Sequence, residues 1–173
     1  MHQCPGGVQH PHACCGGTSG SKGCINAPIH TKKGIEICKV TVVDSKCNVV
    51  YDEYCLPTTD IIDYSTIWSG IKEEHLKNVT KTTEEMRNDL LALFNKDTIL
   101  VGHGLGSDLM LLKIFHSKVI DTLILYPHNR GLPLRRSLKD IAKTELRRDI
   151  QNGDGHDSKE DAEVTMRLLL RKL

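Results

Sequence analysis

Asp108 is the first residue whose type and position point to chemistry. It follows a buried apolar run and the Gly-rich residues 102–107, and it falls in the first turn of a predicted helix. The helix dipole favours the charged form of a carboxyl there. Open α/β sheets bind ligands just beyond the carboxyl ends of their strands, so this carboxylate is well placed to hold a cation. The alternative is an acid that only decorates a helix start.

His156 and Asp161 form a second candidate group near the C-terminus. His156 lies in a loop between glycines and the helix start at Ser158, and Asp161 falls in the first turn of that helix. A histidine that titrates near neutrality is the usual proton acceptor for activating water. A carboxylate beside it can hold a metal that lowers the pKa of that water. Asp161 also fits the simpler role of the acid in a Ser-x-x-Asp cap.

Length and composition predict one globular domain that must position these residues. The chain has 173 residues, 39% of them hydrophobic and 26% charged, with a net charge of +1. Residues 128–149 carry seven basic and three acidic side chains, and within this basic strip we single out Arg135 and Arg136 as candidate contacts to a nucleic-acid backbone. A solvated helix face explains the same strip equally well.

The cysteines and the apolar runs predict the compartment. The count of seven cysteines is odd, no secretory signal is visible, and no run approaches the roughly 20 apolar residues that cross a bilayer. We therefore expect an intracellular, reducing setting without a membrane partner, where clustered Cys and His favour metal binding over disulfides.

The apolar pattern divides the chain into two parts. Residues 1–33 are rich in Cys, His and Gly and show no periodicity, which indicates an irregular segment or a small metal-held module. Residues 34–173 show alternating strand and helix signals. Strands are predicted at 35–43, 48–56, 98–102 and 119–125, and helices after the caps Thr82, Ser107, Ser137 and Ser158. This order predicts an α/β fold, a sheet with helices on its faces.

Short motifs spread over about 140 residues carry a specific resemblance. They include Val-Thr-Val-Val-Asp at 40–44, Val-Val-Tyr-Asp at 49–52, Ile-Ile-Asp-Tyr at 61–64, Ser-Gly-Ile at 69–71, Ile-Leu-Val-Gly-His at 99–103, Ser-Asp-Leu at 107–109, Val-Ile-Asp-Thr at 119–122, Arg-Ser-Leu at 136–138, Gly-His at 155–156 and Glu-Asp-Ala at 160–162. In this order and spacing, the chain resembles the DEDDh 3′–5′ exonuclease superfamily. The similarity is to its eukaryotic nuclear RNA exonuclease branch, the relatives of the GOR antigen.

The resemblance implies a fold, a reaction and a set of site residues. The implied fold is an RNase H-like mixed sheet flanked by helices. The implied reaction is hydrolysis of the terminal phosphodiester at the 3′ end of single-stranded RNA with two Mg²⁺ or Mn²⁺ ions, in the nucleus. In the family four acids hold the metals and a histidine is the general base. By position, Asp108 matches the third acid, Asp161 the fourth and His156 the base, whereas Asp121 matches a structural position.

The first two acids of the family, an Asp-x-Glu on the first strand, have no counterpart at the expected place. The only Asp-x-Glu triplet is at 161–163, in the last helix. We therefore expect the domain to lack the central first strand, with unpaired inner edges that cost about 1–3 kcal/mol for each buried group. We also expect impaired activity, because positioning and electrostatics supply most of the rate of such reactions.

The N-terminal segment and the aromatic residues give further hypotheses. Cys15, Cys24 and His30 have the ligand types of a zinc site, with a non-standard spacing, and a tail is the alternative. Trp68 and Tyr64 could stack a terminal base, although core packing is the preferred interpretation for Trp68. His103 could contact a phosphate or form a local hydrogen bond at the end of its strand, and we prefer the second role.

Two other functions remain open. The missing motif favours a catalytically inactive module that binds nucleic acid or protein. The third possibility is a non-functional fragment, from an incomplete splice form or gene model.

Overall fold

Six strands of the described chain form one mixed sheet. The structure is a computed structural model that describes residues 22–153 and 155–173, with side chains from Ala27 onward. The strands are β1 (Lys22–Thr31), β2 (Gly34–Val43), β3 (Val49–Tyr54), β4 (Ile61–Asp63), β5 (Leu100–Gly102) and β6 (Val119–Asp121). Their order across the sheet is β3, β2, β1, β5, β6, and β4 also pairs with β1. The predicted α/β class is confirmed.

Seven α-helices of the described residues surround this sheet. They are α1 (Thr66–Ser69), α2 (Glu73–Leu76), α3 (Thr83–Leu93), α4 (Leu105–Leu111), α5 (Thr122–Leu125), α6 (Leu138–Ile141) and α7 (Ser158–Leu170), and a π-helical turn over Ala142–Leu146 extends α6. Thr82 and Glu85 form the predicted capping box of α3, and Ser137 caps α6. None of these helices is long and apolar enough to cross a membrane.

The central strand that we expected to be missing is present. Lys22–Thr31 pairs antiparallel with β2 along its whole length, and parallel with β5 through Lys22 and Gly23. The same strand pairs with β4 through His30 and Thr31. The sheet therefore has no empty slot, and residues 22–31, expected to belong to an irregular segment, are part of it.

The composition of β1 explains why its pattern did not predict a strand. Its sequence includes Gly, Asn, Pro and Ala, which are depleted in strands. Pro28 in particular argues against a central strand, because it cannot donate to a ladder. The structure accommodates Pro28 at an irregularity, since the register shifts between Ala27 and Pro28. Thr31 and Gly34 then pair across the turn into β2, and the Thr31 hydroxyl donates to Gly34 O at 3.0 Å.

One hydrophobic cluster joins the sheet to the three helices that matter most for the site. Met86 and Leu90 of α3, Leu105 and Leu109 of α4, and Ala162 and Met166 of α7 share this cluster with buried residues of β2 and β5. Burial of each large side chain stabilises the fold by about 1.5–3 kcal/mol. The cluster fixes the starts of α4 and α7 relative to the sheet.

Three predicted element boundaries are wrong. Helix α4 starts at Leu105 after Gly104, so Ser107 lies inside it and is not its cap. Residues 122–125 form α5 and do not continue β6, because the Asp121 side chain accepts the backbone N–H of Leu123 and caps a helix there. Helix α7 is capped by Asp157, and Ser158 is its first residue.

Candidate active site

The start of α7 is held to the sheet by hydroxyl groups. The Thr41 hydroxyl of β2 donates to Asp52 Oδ1 of β3 at 2.7 Å, and Thr41 Oγ1 lies 2.7 Å from Ser158 Oγ. Because an ionised carboxylate only accepts, the Thr41 proton is used by Asp52, and Ser158 must donate to Thr41. Asp157 accepts the backbone N–H of Lys159 at 2.9 Å. These bonds fix the helix turn that carries Asp161 and the loop that carries His156.

Asp161 is a buried carboxyl with a perturbed pKa. Only 4% of its surface is exposed, and the Gln151 side-chain amide donates to its Oδ1 at 3.0 Å. The backbone N–H of Gln151 donates to Glu160 of the same turn at 2.9 Å. Burial raises the pKa of Asp161 to about 6, while the Gln151 hydrogen bond opposes this rise. Such a perturbed carboxyl is typical of functional sites.

His156 stands next to Asp161, as the sequence predicted for the general base and the fourth acid. His156 Nδ1 lies 3.6 Å from Asp161 Oδ2. Burial, and after it the charge of Lys139, lowers the pKa of His156. The ring is therefore neutral at pH 7, where it can accept a proton, and the contact with Asp161 is not an ion pair there.

The loop that carries His156 packs tightly against the end of α1. A Cβ placed on Gly70 would lie 2.1 Å from the carbonyl oxygen of His156, and Gly70 has a φ of 67°. A Cβ placed on Gly155 would lie 2.5 Å from Thr66 O and 2.9 Å from Gly70 Cα. Only glycine permits this approach, so the position of His156 depends on these two residues.

Asp108 lies in the first turn of α4, directly after β5, as predicted, and its side chain is partly exposed. The backbone before it is fixed by Asp121, whose carboxylate accepts the N–H of Gly104 at 2.9 Å and of Leu105 at 3.1 Å. The structural interpretation of Asp121 is thereby confirmed. Helices α4 and α7 both contact β1. The convergence of Asp108 with His156 and Asp161 stays a prediction.

The register of β1 shows which of its positions lie at this site. Ile25 is paired with Thr41 and Ala27 with Lys39, and residues paired directly across two strands lie on the same face of a sheet. Thr41 contacts the start of α7, and Lys39 lines a cavity with His156. Positions 25 and 27 have the spacing of an Asp-x-Glu pair, and none of the ten residues of β1 is acidic.

The donors that the structure describes do not fit a pair of divalent ions. In the described ranges, no group of three or more His, Cys, Asp or Glu side chains is arranged to hold a metal. Two cations facing only Asp108 and Asp161 would keep most of their charge uncompensated in a largely buried place. The strand is thus present, but it does not carry the Asp-x-Glu pair that the family has on its first strand.

A cavity of about 170 Å³ opens beside His156. It is lined by Lys39, Tyr54, Ser69, Gly70, His156, Asp157 and Ser158. The ammonium of Lys39 is already neutralised in part, because it lies 3.3 Å from Asp52 and 5.0 Å from the centre of the Tyr54 ring. The cavity is lined mainly by polar groups, with Lys39 and Asp157 as residues of opposite charge.

The two arginines chosen from the basic strip differ. Arg135 is exposed, whereas the Arg136 guanidinium lies 2.6 Å from Asp140 and 3.9 Å from Glu145. The charge of Arg136 is therefore used largely within the protein, and only Arg135 keeps the exposure that a phosphate contact requires.

The local interpretation of His103 is confirmed. Its Nδ1 lies 2.9 Å from Thr122 Oγ1, and the Thr122 hydroxyl donates to Gly102 O at 3.1 Å. Burial lowers the pKa of His103, against the opposing charge of Asp121. A buried, neutral ring of this kind holds the loop between β5 and α4 in place.

The zinc hypothesis fails as a single site. Cys15 lies outside the described residues, but Cys24 and His30 belong to one extended strand, six positions apart. At about 3.3 Å per residue their Cα atoms are roughly 20 Å apart. Zinc ligands lie about 2.0–2.3 Å from the ion, so Cys24 and His30 cannot share one.

Trp68 is a feature that the sequence interpretation placed wrongly. We preferred core packing, yet 71% of its surface is exposed. Its ring meets that of His156 edge-on, with centroids 5.9 Å apart and an interplanar angle of 72°. Tyr64, by contrast, packs against a buried cluster that includes Ala27 and Ile71. The signal that could have located Trp68 is its place one residue before the Ser-Gly-Ile motif.

Comparison with known families defines the class of the protein. Residues 24–169 match the Exonuclease (RNase_T) family model, so the chain belongs to this family. Members of the family generally use divalent Mg or Mn.

The curated relatives of the chain include RNA exonucleases and GOR exonucleases. The chain is 46% identical over 145 residues to human RNA exonuclease 1 homolog, covering 83% of this chain and 12% of that protein. It is 42% identical over 145 residues to human putative exonuclease GOR, covering 83% and 22%. It is 39% identical over 144 residues to Saccharomyces cerevisiae RNA exonuclease 1, covering 83% and 26%. The chain thus spans between 12% and 26% of the length of these longer proteins.

Solved structures confirm the fold. The Neurospora crassa Pan2 catalytic unit matches with a TM-score of 0.80 at 24% identity, over 99% of this chain and 30% of that one. The Saccharomyces cerevisiae Pan2 module in complex with A7 RNA matches with a TM-score of 0.78 at 23% identity, over 94% and 29%. The sheet and its flanking helices therefore share the fold of these Pan2 structures.

Proposed function

We propose that this domain binds the 3′ end of single-stranded RNA and hydrolyses its terminal phosphodiester only weakly or not at all. The observation that carries the proposal is the acid-free β1, which occupies the central place in the sheet but offers no carboxylate opposite Thr41 and Lys39. RNA as the ligand is supported by the RNA exonucleases among the relatives and by the Pan2 structures that contain RNA. We further propose that the domain acts in the nucleus, as its resemblance to the nuclear RNA exonuclease branch implies.

The residues that remain supply only part of the chemistry of hydrolysis. A neutral His156 can take the proton of a water that attacks the terminal phosphorus, and Asp161 beside it can orient the imidazole. The negative charge that develops on the phosphoryl oxygens needs positive partners, and such electrostatic stabilisation is usually the largest single contribution to the rate. Divalent ions would supply that charge, but the described donors do not fit a pair of them. Binding is thus better supported than turnover.

A degradation assay and a binding assay test the two halves of the proposal separately. The protein is incubated with 3′-end-labelled single-stranded RNA and Mg²⁺ or Mn²⁺, beside an Asp108→Ala variant. We expect no loss of label above that of the variant, together with a shift in the fluorescence anisotropy of a 5′-labelled RNA. Rapid and complete label loss that vanishes in the variant would contradict weak or absent hydrolysis, and an unchanged anisotropy would contradict RNA binding.

A second candidate function is a protein-interaction module. The exposed apolar side chains of Ile62, Ile67 and Trp68 on neighbouring segments favour it. A folded protein that binds no RNA in the anisotropy assay would leave this function.

A further inference from the structure

Trp68 is a large exposed aromatic side chain at the edge of the candidate site. It lies in α1, with 71% of its surface exposed, and its ring meets the edge of the His156 ring. The next two residues, Ser69 and Gly70, line the cavity together with His156. The indole therefore lies next to residues that line the cavity and touches the ring of the candidate general base.

The fold does not need the indole. The only buried residue of α1 is Ser69, whose hydroxyl donates to Tyr64 O at 2.7 Å and accepts the N–H of Ile71 at 3.0 Å. Thr66 adds a hydrogen bond to Ile71 O at 2.7 Å. Polar contacts thus hold α1, and the exposed indole contributes little burial to stability.

The helix that carries the indole is nevertheless packed tightly against the loop that carries His156. Gly155 approaches Thr66 O and Gly70 Cα so closely that an added Cβ would lie within 3 Å of both. The His156 loop and α1 therefore behave as one packed unit. A ligand that contacts the indole therefore lies close to His156.

We propose that Trp68 stacks a nucleobase at the 3′ end of single-stranded RNA, next to the phosphodiester that faces His156. This inference rests on the proposed function and names one of its nucleic-acid-binding residues. Stacking on an aromatic side chain is tolerant of base identity, because every base has a π face. It also needs no metal ion, so it remains available where the acids of β1 are missing. The ligand class is single-stranded RNA with unpaired terminal bases.

Trp68 provides its own probe, because it is the only tryptophan of the chain. A hexaadenylate with a free 3′ hydroxyl is titrated into the protein while tryptophan emission is recorded. The matched ligand is a ribose-phosphate hexamer without bases. Stacking predicts saturable quenching by the hexaadenylate and little quenching by the abasic hexamer.

Substitutions separate aromatic stacking from apolar area and from folding. Stacking is typically worth enough that Trp68→Ala weakens binding about tenfold, whereas Trp68→Phe restores most of the affinity. Ile67→Ala is the control, because Ile67 is equally exposed on the same short helix, and its affinity should stay within about twofold. Affinities are measured by anisotropy of a labelled hexaadenylate, which does not depend on Trp68 emission. A circular dichroism melt confirms that each variant is folded.

The outcomes distinguish this inference from the proposed function. Binding without quenching, or a Trp68→Ala variant with the affinity of the wild type, overturns stacking while RNA binding stands. An equal loss in Ile67→Ala and Trp68→Ala also overturns it, and points to a general apolar surface. No anisotropy change with the wild-type protein overturns the proposed function itself.

Discussion

Strand β1 and the first turn of α7 face the same site but differ in the side chains that they carry. The α7 turn has its candidate chemistry in place, with His156 3.6 Å from a buried Asp161. Strand β1 has its full ladder to β2 and its contacts to β4 and β5, but no acidic side chain. The α7 turn thus carries both an ordered backbone and candidate catalytic side chains, whereas β1 supplies the backbone of the sheet without acidic side chains.

The difference shows that a sheet requires the backbone of its central strand and not the carboxylates that the strand displays. An unpaired strand slot would leave many buried N–H and C=O groups without partners, at about 1–3 kcal/mol each. Ala27 is 2% exposed, and an uncharged side chain there avoids the cost of burying a carboxylate. A strand without acids can therefore complete the sheet.

Placing two acids on β1 is the most direct test of this difference between the two regions. The double variant Ile25→Asp/Ala27→Glu places an Asp-x-Glu pair opposite Thr41 and Lys39. If the missing acids alone limit the reaction, we expect Mg²⁺- or Mn²⁺-dependent loss of a 3′ label to rise by about 100-fold or more. The measurement is single-turnover degradation of labelled single-stranded RNA.

The matched control is Ile25→Asn/Ala27→Gln, which has the same shape without the charges. It should show no gain, and the acidic variant should also bind Mn²⁺ measurably by calorimetry. Ala27 is only 2% exposed, so both variants need a melting curve that shows a folded protein. If a folded acidic variant neither binds Mn²⁺ nor degrades RNA, the missing acids of β1 are not the only feature that limits the reaction.

Two glycines test how strictly the α7 side of the site is positioned. Gly70 and Gly131 have similar φ angles of 67° and 70°, but only Gly70 faces the backbone of His156, and nothing lies within 4 Å of a Cβ on Gly131. We expect Gly131→Ala to cost about 1–2 kcal/mol, the usual penalty of a left-handed conformation. Gly70→Ala should cost clearly more, because the His156 loop must move.

The measurement is the free energy of unfolding in urea for both variants, with the chemical shifts of the His156 ring as a local probe. The His156 signals should shift only in Gly70→Ala. Equal losses of stability, with unchanged His156 signals, would show that this loop is not fixed by α1.

The same contrast explains what could be predicted from the sequence. The caps Thr82 and Ser137, the β2–β3 hairpin and the pairing of His156 with Asp161 follow from local patterns, and the structure confirms them. The central strand did not follow, because Gly23, Asn26 and Pro28 lack strand propensity and its place is enforced by neighbours distant in sequence.

The site could be predicted only in part for a related reason. Exposure depends on tertiary packing, so the open position of Trp68 and the internal ion pairs of Arg136 could not be read from composition. Gln151 has a φ of 56° and donates a hydrogen bond to Asp161, and no sequence pattern indicated this role. Side chains that act through buried contacts are visible only once the fold brings them together.

Asp161 gives the finest test of the α7 region, through the pH dependence of stability. Its carboxyl binds a proton more tightly in the folded state, where burial raises its pKa to about 6, than in the unfolded state, where it is about 3.9. The stabilisation from this group is thus complete below the unfolded pKa and is lost as the pH rises through about 6. At pH 7.5 the ionised, buried carboxylate destabilises the fold by on the order of 2 kcal/mol.

Asp161→Asn should therefore raise the melting temperature by several degrees at pH 7.5 in EDTA, because the amide keeps an acceptor for Gln151 and carries no charge. The gain should shrink toward zero at pH 4, where the wild-type carboxyl is protonated. Asp149→Asn, an exposed acid 3.4 Å from Lys143, should change stability by less than about 0.5 kcal/mol at either pH. A gain in Asp161→Asn that does not depend on pH would mean that the destabilisation comes from packing and not from the charge of Asp161. A loss at pH 7.5 would mean that the charge of Asp161 is compensated within the fold.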